Sequence, residues 1–341
     1  MVFTFNIKNQ ESNMKTRRQA LIQSASAVAA LGLGHLPAFA QAIPETLRIV
    51  VGFPPGGTTD AFARRIGEKL RGVYATNIII ENRPGAGGQI GVSTLKAAAG
   101  DGATMLYTPA SMLTVYPHSY SKLPYSQADV APISIGHATD HAFVVGPAVP
   151  AEVTNLRQYV AWAKANPGKA TVGNPGAGSM PHLLAGRFAQ IADIQSLNVP
   201  FAGSGPGVPQ VLGGQITSMS SPLGDWIQHH ATGRARILAT SGPNRSTFVP
   251  NVATYREQGF DELVMREWFG FFLPATASAA VRDRASNLLR AALSQPDVAE
   301  AVAPLGVQVT PTTQEQFAER MKADTEFSGR LVRALGFRAD S

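Results

Sequence analysis

The order of apolar and polar positions predicts an α/β chain assembled from repeated strand–loop–helix units. In the first unit, the apolar run Leu47–Phe53 is typical of a buried strand, and the breakers Pro54–Gly57 end it. A helix follows, because apolar residues then recur every four positions: Phe62, Ile66 and Leu70. Gly72 ends this helix.

The N-terminus of this helix is a candidate anion site. Thr58 or Thr59 can cap the helix, and Asp60 falls in its first turn. The free N–H groups of a first helical turn point toward the carboxyl end of the preceding strand, where they can bind an anion. The same pattern also suits an ordinary turn between a strand and a helix, and this alternative stays open.

A second unit of the same kind begins near residue 170. Ala170–Gly173 is the predicted strand, Asn174–Gly178 the loop and Ser179 the helix cap. A weaker third copy has the strand Leu197–Pro200 and a glycine-rich loop at residues 201–207. Because the first two units lie about 120 residues apart, we expect two similar α/β domains.

Further apolar runs complete these domains. The predicted strands are Asn77–Glu81, Thr104–Thr108, Ile133–Ile135, Ala142–Val145, Ile216–Ser221, Ala235–Thr240, Trp268–Leu273 and Val307–Val309. Their alternation with helical segments predicts parallel, doubly wound sheets, in which ligands gather beyond the carboxyl ends of the strands. Ser111 follows one such strand end and is a candidate site residue.

Two short strand-like crossings, near Phe143 and Trp268, connect the predicted domains. We therefore expect a first lobe from residues 43–142 and 268–341, a second lobe from residues 143–267, and a hinged cleft between them. The connection before the first crossing holds three polar candidates: His137, Asp140 and His141. Of these, Asp140 is the candidate for reaching the cleft.

The N-terminus is typical of an export signal. Arg17 and Arg18 precede an alanine-rich apolar stretch at residues 25–36, and Ala38–Ala40 is a small-residue cleavage site. The stretch is short for a membrane-spanning helix. We interpret residues 1–42 as a cleaved signal of the twin-arginine type, with the Sec route as the alternative.

Processing sets the size and charge of the mature protein. We expect cleavage after Ala40 or after Ala42, and translation from Met1 or Met14. The 341-residue chain has a formal charge of +6, and its first 40 residues hold four basic residues and one acidic residue, so +3 remains. This charge is too small and too scattered to indicate nucleic acid binding. The absence of cysteine excludes disulfides and thiolate metal sites.

The sequence holds no recognised catalytic constellation. No serine has the glycine pattern of a nucleophile elbow, and no Walker lysine follows a glycine-rich loop. No histidine pair joins a carboxylate in a metal-ligand pattern. His182 lies just inside the second helix, where it can donate a hydrogen bond to a ligand or to a nearby carbonyl group.

Five motifs stand in a fixed order along the chain. They are Phe53-Pro54-Pro55-Gly56-Gly57-x-x-Asp60, Glu81-Asn82-Arg83-Pro84-Gly85-Ala86-Gly87-Gly88, Lys164-Ala165-Asn166-Pro167-Gly168, Gly178-Ser179-x-Pro181-His182 and Leu212-Gly213-Gly214-Gln215. Together they resemble the Bug or TctC-like family, the periplasmic solute-binding proteins of tripartite tricarboxylate transporters. The resemblance covers residues 47–336 and implies a type II periplasmic-binding-protein fold with two lobes, two crossover strands and a closing cleft.

The resemblance also implies that two loops from opposite lobes hold a ligand carboxylate, partly through bridging waters. The positions that match are Phe53, Gly57, Thr58, Thr59 and Asp60 on the first lobe, and Gly178, Ser179 and His182 on the second.

Two departures from the family concern the far end of a ligand. The strand after Gln215 often ends near an aspartate in the family, whereas here it ends at Ser221. The turn Phe201-Ala202-Gly203 replaces a more usual tyrosine-lysine-glycine turn. We predict that Phe201, Ala202 and Ser221 contact that end of the ligand.

The leading hypothesis is a non-enzymatic periplasmic receptor, expected to be a monomer without a cofactor. It would capture a small di-, tri- or aromatic carboxylate and deliver it to the membrane permease subunits of a transporter. One alternative is a receptor that reports its ligand to a signalling partner. Another is a hydrolase or transferase that uses His182 or His141.

Overall fold

The computed structural model describes Met1 and residues 44–339; the predicted export signal, apart from Met1, lies outside the described residues. The strands are β1 Thr46–Val51, β2 Asn77–Asn82, β3 Thr104–Pro109, β4 Val130–Thr139, β5 His141–Val145, β6 Thr171–Asn174, β7 Leu197–Pro200, β8 Ser218–Pro222, β9 Arg236–Thr240, β10 Glu267–Pro274 and β11 Gln308–Val309. The helices are α1 Thr58–Leu70, α2 Gln89–Lys96, α3 Ser111–Thr114, α4 Tyr116–Ser119, α5 Leu156–Ala165, α6 Met180–Ile191, α7 Ser204–Leu212, α8 Ile227–Ala231, α9 Ala279–Leu293, α10 Pro296–Val302 and α11 Gln314–Leu335.

The strands form two sheets. The first has the order β11-β4-β10-β3-β1-β2, and the second has the order β7-β6-β8-β5-β9. In the first sheet β1 pairs in parallel with β2 and β3, and in the second β6 pairs in parallel with β7 and β8. The remaining strand pairs are antiparallel: β10 with β3 and β4, β11 with β4, and β5 with β8 and β9. The predicted two-lobed α/β fold is therefore confirmed, with sheets that are mixed rather than wholly parallel.

The chain crosses between the two sheets twice. The first sheet takes its strands from residues 46–139 and 267–309, and the second takes its strands from residues 141–240. Strands that the sequence predicts to start at Ala142 and Trp268 begin at His141 and Glu267. We call the parts around the two sheets the first and second lobes.

His137 and His141 do not lie in a connecting loop, so that prediction is wrong. His137 belongs to β4 and His141 to β5, because both strands extend further than their apolar runs. The His137 ring packs between the rings of Phe62 and Phe269, with centroids 4.4 and 4.5 Å away. Burial lowers its pKa to about 3, so His137 is a neutral core residue near pH 7.

The helical stripes identified in the sequence anchor each lobe. Phe62, Ile66 and Leu70 of α1 are fully buried against the first sheet. On α6, Leu183, Leu184 and Phe188 are buried in the same way. Burying each such side chain contributes about 1.5–3 kcal/mol, which fixes the N-terminus of each helix relative to its sheet.

A glycine-rich segment packs closely against the end of β1. A Cβ atom on Gly52 would lie 2.9 Å from the carbonyl oxygen of Gly88, and one on Gly91 would lie 2.9 Å from the Cα atom of Gly52. The glycines at positions 52, 88 and 91 therefore let the two backbone segments approach each other closely. Among the residues that the structure describes, no helix combines the length and the apolar character needed to cross a bilayer.

Candidate functional site

A cavity of about 50 Å³ lies between the two lobes. The first lobe contributes the loop after β1, the end of β3 with α3, and the start of β10; the second contributes the loops after β6, β7 and β8. Seven of the residues predicted from the sequence line it: Phe53, Gly57, Thr58, Thr59, Asp60, Ser111 and Ser179. The cavity therefore lies at strand carboxyl ends, as expected for this class of fold.

The first loop ends at the N-terminus of α1. The N-cap residue is Gly57, without a side-chain capping bond, so the prediction of a threonine cap is wrong. Thr58 is already helical, and its Oγ1 atom donates instead to Asp225 Oδ1 across the cleft, at 2.9 Å. A Cβ atom on Gly57 would meet no atom within 4 Å, so this position faces open space in the cavity.

Asp60 holds this loop in place. Its carboxylate accepts hydrogen bonds from the Gly56 N–H group at 3.1 Å and from Asn82 Nδ2 at 2.9 Å. The Arg64 guanidinium donates to both of its oxygens, at 3.0 and 2.9 Å. Burial alone would raise the pKa of Asp60, but these hydrogen bonds lower it below its usual value. Asp60 is therefore an ionised structural residue at neutral pH.

The second loop ends at the N-terminus of α6. Ser179 occupies the predicted N-cap position, but its side chain makes no capping bond, and its buried Oγ atom has no hydrogen-bond partner among the described residues. The next N–H group, that of Met180, donates to Ser111 Oγ of the first lobe at 3.0 Å. This bond joins the two lobes inside the wall of the cavity.

His182 does not line the cavity. Its Nδ1 atom accepts a hydrogen bond from the Gly178 N–H group at 2.9 Å, and its ring meets Phe337 edge-on with centroids 4.8 Å apart. Burial lowers its pKa to about 4, so the ring is neutral near pH 7. His182 therefore fixes the conformation of the second loop from behind.

Glu267, which the sequence analysis missed, lies at the start of the second crossing strand and is 2 % exposed. It accepts hydrogen bonds from the N–H group of Ser111, at 3.0 Å, and from Ser111 Oγ. Its other oxygen lies 2.9 Å from His141 Nε2. Glu267 thus connects the second crossing strand to the cavity residue Ser111.

Asp225 is the second acidic cavity residue that sequence reasoning missed. It follows β8 in the turn Leu223–Asp225 and faces the N-terminus of α1. Burial raises its pKa, and the nearby hydroxyl groups of Ser204, Thr58 and Ser221 only partly oppose this effect. A signal was present in the sequence. The family often has an aspartate near the end of this strand, and in this chain the nearest aspartate is Asp225, four residues after Ser221.

The other predicted residues lie outside the cavity lining: Asp140, Gly178, His182, Phe201, Ala202 and Ser221. Asp140 pairs with Arg266, whose Nε atom lies 2.7 Å from Oδ1. Ser221 Oγ accepts a hydrogen bond from the Trp226 indole at 2.7 Å. Ala202 is exposed.

Phe201 turns into the second lobe instead of the cavity. Its ring edge would lie 3.2 Å from a Cβ atom on Gly173 and 3.0 Å from one on Gly207, so these glycines make room for it. Gly203 and Ser204 of the same loop line the cavity in its place.

The polar lining of the cavity is hydroxyl groups, backbone and carboxylates. Its described residues include no lysine, arginine or histidine. No group of three or more histidine, aspartate or glutamate side chains in the described part of the chain is placed to hold a metal ion. An anion in this cavity would therefore be held by N–H groups at helix N-termini and by hydroxyl groups.

Comparison with known proteins agrees with this geometry. The family model of the tripartite tricarboxylate transporter family receptor, TctC, matches residues 62–337. Protein BugT from Bordetella pertussis is 30% identical over 293 residues, which cover 85% of this chain and 89% of BugT.

Solved structures share the fold. A structure described as a periplasmic transporter is 28% identical, with a TM-score of 0.81 over 86% of this chain and 98% of its own. Rpa4515 from Rhodopseudomonas palustris, solved with adipate, has a TM-score of 0.82 at 21% identity, over 86% of this chain and 98% of its own. On the family match and the identity to BugT, this chain belongs to the TctC family of tripartite tricarboxylate transporter receptors, also called the Bug family.

Proposed function

We propose that this protein binds a small carboxylate in the cavity between its lobes and delivers it to the membrane permease subunits of a tripartite tricarboxylate transporter. Its family is one of periplasmic solute-binding receptors, which are not enzymes. The hydrolase or transferase alternative is therefore set aside. The division into lobes at residues 143 and 268 and the export signal at residues 1–42 belong to this proposal.

One observation carries the proposal. The N-termini of α1 and α6, helices of 13 and 12 residues on opposite lobes, meet at a single cavity whose described lining holds no basic side chain. N–H groups at a helix N-terminus favour an anion through both their hydrogen bonds and the helix dipole. A carboxylate between two such ends favours the closed form, because only that form supplies both sets of donors.

A related structure supports the ligand class. Rpa4515 was solved with adipate, a dicarboxylate. The comparison with Rpa4515 gives the fold and supports the proposal of a carboxylate ligand, whereas the side chains around the cavity decide which carboxylate binds here.

A thermal-shift screen of mono-, di-, tri- and aromatic carboxylates tests the proposal. A ligand present at 100 times its dissociation constant stabilises the folded chain by about 2.7 kcal/mol. The amide of each acid that binds is the matched control, because it lacks the charge and brings an N–H₂ group against the donors. Equal affinity for acid and amide, or no stabilisation by any carboxylate, would contradict the proposal.

Delivery to a permease is tested in cells. Uptake of the ligand should require this chain together with permease subunits, and it should be lost when binding is blocked by Gly57→Val. Unchanged uptake in cells that lack the chain would argue for the alternative of a sensing receptor.

Replacement of Arg17 and Arg18 by lysine should block export if the twin-arginine route is used.

A further inference from the structure

Asp225 has a buried carboxylate oxygen that forms no hydrogen bond within the described residues, although the hydroxyl groups of Ser204 and Ser221 lie near the carboxylate. Its Oδ1 atom accepts the bond from Thr58, but no donor among the described residues forms a hydrogen bond with the buried Oδ2 atom. A buried acceptor without a partner is costly, and a buried carboxylate without a counter-charge costs more. Asp225 lines the cavity, so a ligand bound there can supply the missing partner.

The other two carboxylates of the cavity differ from Asp225 in this respect. Asp60 forms an ion pair with Arg64 at 2.9 Å, and Glu267 lies 2.9 Å from His141. Asp225 forms no ion pair within residues 44–339, although it lines the same cavity. Its carboxylate is therefore the acceptor that remains for a ligand.

We propose that Asp225 binds a positively charged nitrogen of the ligand, so that the ligand is a small carboxylate that also carries an ammonium group. The inference rests on the proposed function, because it takes the carboxylate site at the helix N-termini as given. The ammonium group supplies both N–H donors and the counter-charge for Asp225. A second carboxylate in the same place would be repelled by Asp225.

Two sets of acids of matched length test this selectivity by calorimetry on the purified chain. The first set is γ-aminobutyrate, γ-hydroxybutyrate, butyrate and succinate, which differ only at the far end. The second set carries the variable group next to the carboxylate: alanine, lactate, propionate and methylmalonate. In at least one set, the amino acid should bind about 10- to 100-fold more tightly than the other members, the range expected for one charge-assisted hydrogen bond.

The variant Asp225→Asn assigns the effect to this residue. Asparagine keeps an acceptor for Thr58 but removes the charge, so the affinity for the amino acid should fall about 10- to 100-fold. The affinity for the matched hydroxy acid or dicarboxylate should stay within about twofold or rise. Asp261→Asn is the control, because the side chain of Asp261 is 75 % exposed and remote from the cavity lining.

Each outcome has a distinct meaning. If acids bind but the amino acid has no advantage in either set, or if Asp225→Asn leaves its affinity unchanged, the inference fails and the proposed function stands. If no acid of any kind binds, the proposed function fails as well. If Asp225→Asn does not fold, the two sets measured on the unmodified chain still decide the inference.

Discussion

Replacing Ser111 by alanine should weaken the closed form of this receptor. Ser111 Oγ accepts a hydrogen bond from the Met180 N–H group of the second lobe and donates one to Glu267 of the first. Alanine removes both bonds. Glu267 keeps the Ser111 N–H donor and its contact with His141, so the main loss is the bond between the lobes.

The size of the effect follows from the burial of Met180, which is 2 % exposed. In the closed form of the variant the Met180 N–H group has lost its acceptor, at a cost of about 1–3 kcal/mol. In an open form water reaches this group, so the cost falls on the closed form alone. The ratio of closed to open molecules should therefore fall about 5- to 150-fold, and ligand affinity should fall with it.

Calorimetry measures the affinity, and small-angle scattering with and without ligand measures the closure. Ser328→Ala is the matched control, because Ser328 Oγ is buried without a hydrogen-bond partner among the described residues, away from the cavity lining. Ser179→Ala removes a cavity hydroxyl group that forms no hydrogen bond within the described residues. It should therefore lower the ligand affinity less than Ser111→Ala does. If Ser111→Ala binds and closes like the unmodified chain, the Met180–Ser111 bond does not stabilise closure.

Three further predictions test the site and its support. Gly57→Val should abolish ligand binding in calorimetry without lowering the melting temperature, because Gly57 has φ −84° and its Cβ position is open to the cavity. Gly224→Ala should hold the lobes apart in scattering, because its Cβ would overlap the backbone of Leu305 on the first lobe, whereas Gly57→Ala should close normally. The free energy of unfolding should fall as the pH drops below about 6.5, because His137 and His182 have lowered pKa values in the folded chain and take up protons when it unfolds. His182→Asn, which keeps an acceptor for Gly178, should remove about 3 kcal/mol of that change in denaturant titrations; an unaltered pH profile would contradict this.

The sequence predicted the parts of the site that local patterns determine. Each strand–loop–helix unit combines an apolar run, a cluster of breakers and a helical stripe, and these signals are local. The helix N-termini at Thr58 and Met180 therefore lie where the pattern predicts them. What the pattern misjudged is the capping, because the hydroxyl of Thr58 has a stronger partner in the opposite lobe, and a local rule does not see that partner.

The missed residues belong to contacts between distant parts of the chain. Asp225 meets Thr58 across 167 positions, and Glu267 meets Ser111 across 156. No periodicity links such pairs, because they come together only when both sheets have formed. Phe201 differs from these residues: its turn was predicted correctly, but the space beside Gly173 and Gly207 admits the ring, so it packs into the lobe and does not line the cavity.

The acidic lining of the cavity is compatible with a carboxylate receptor because its carboxylates have different tasks. The Asp60 carboxylate accepts a hydrogen bond from the loop before α1. The Glu267 carboxylate accepts one from Ser111 and lies next to His141 on the first crossing strand. These two carboxylates therefore hold the N–H groups of Gly56 and Ser111 in place. Asp225 instead reaches from the second lobe to Thr58 at the N-terminus of α1, so this contact exists only where the two lobes meet. A ligand group that binds Asp225 would therefore also favour the arrangement in which the two lobes meet, because the same carboxylate contacts both the ligand and Thr58.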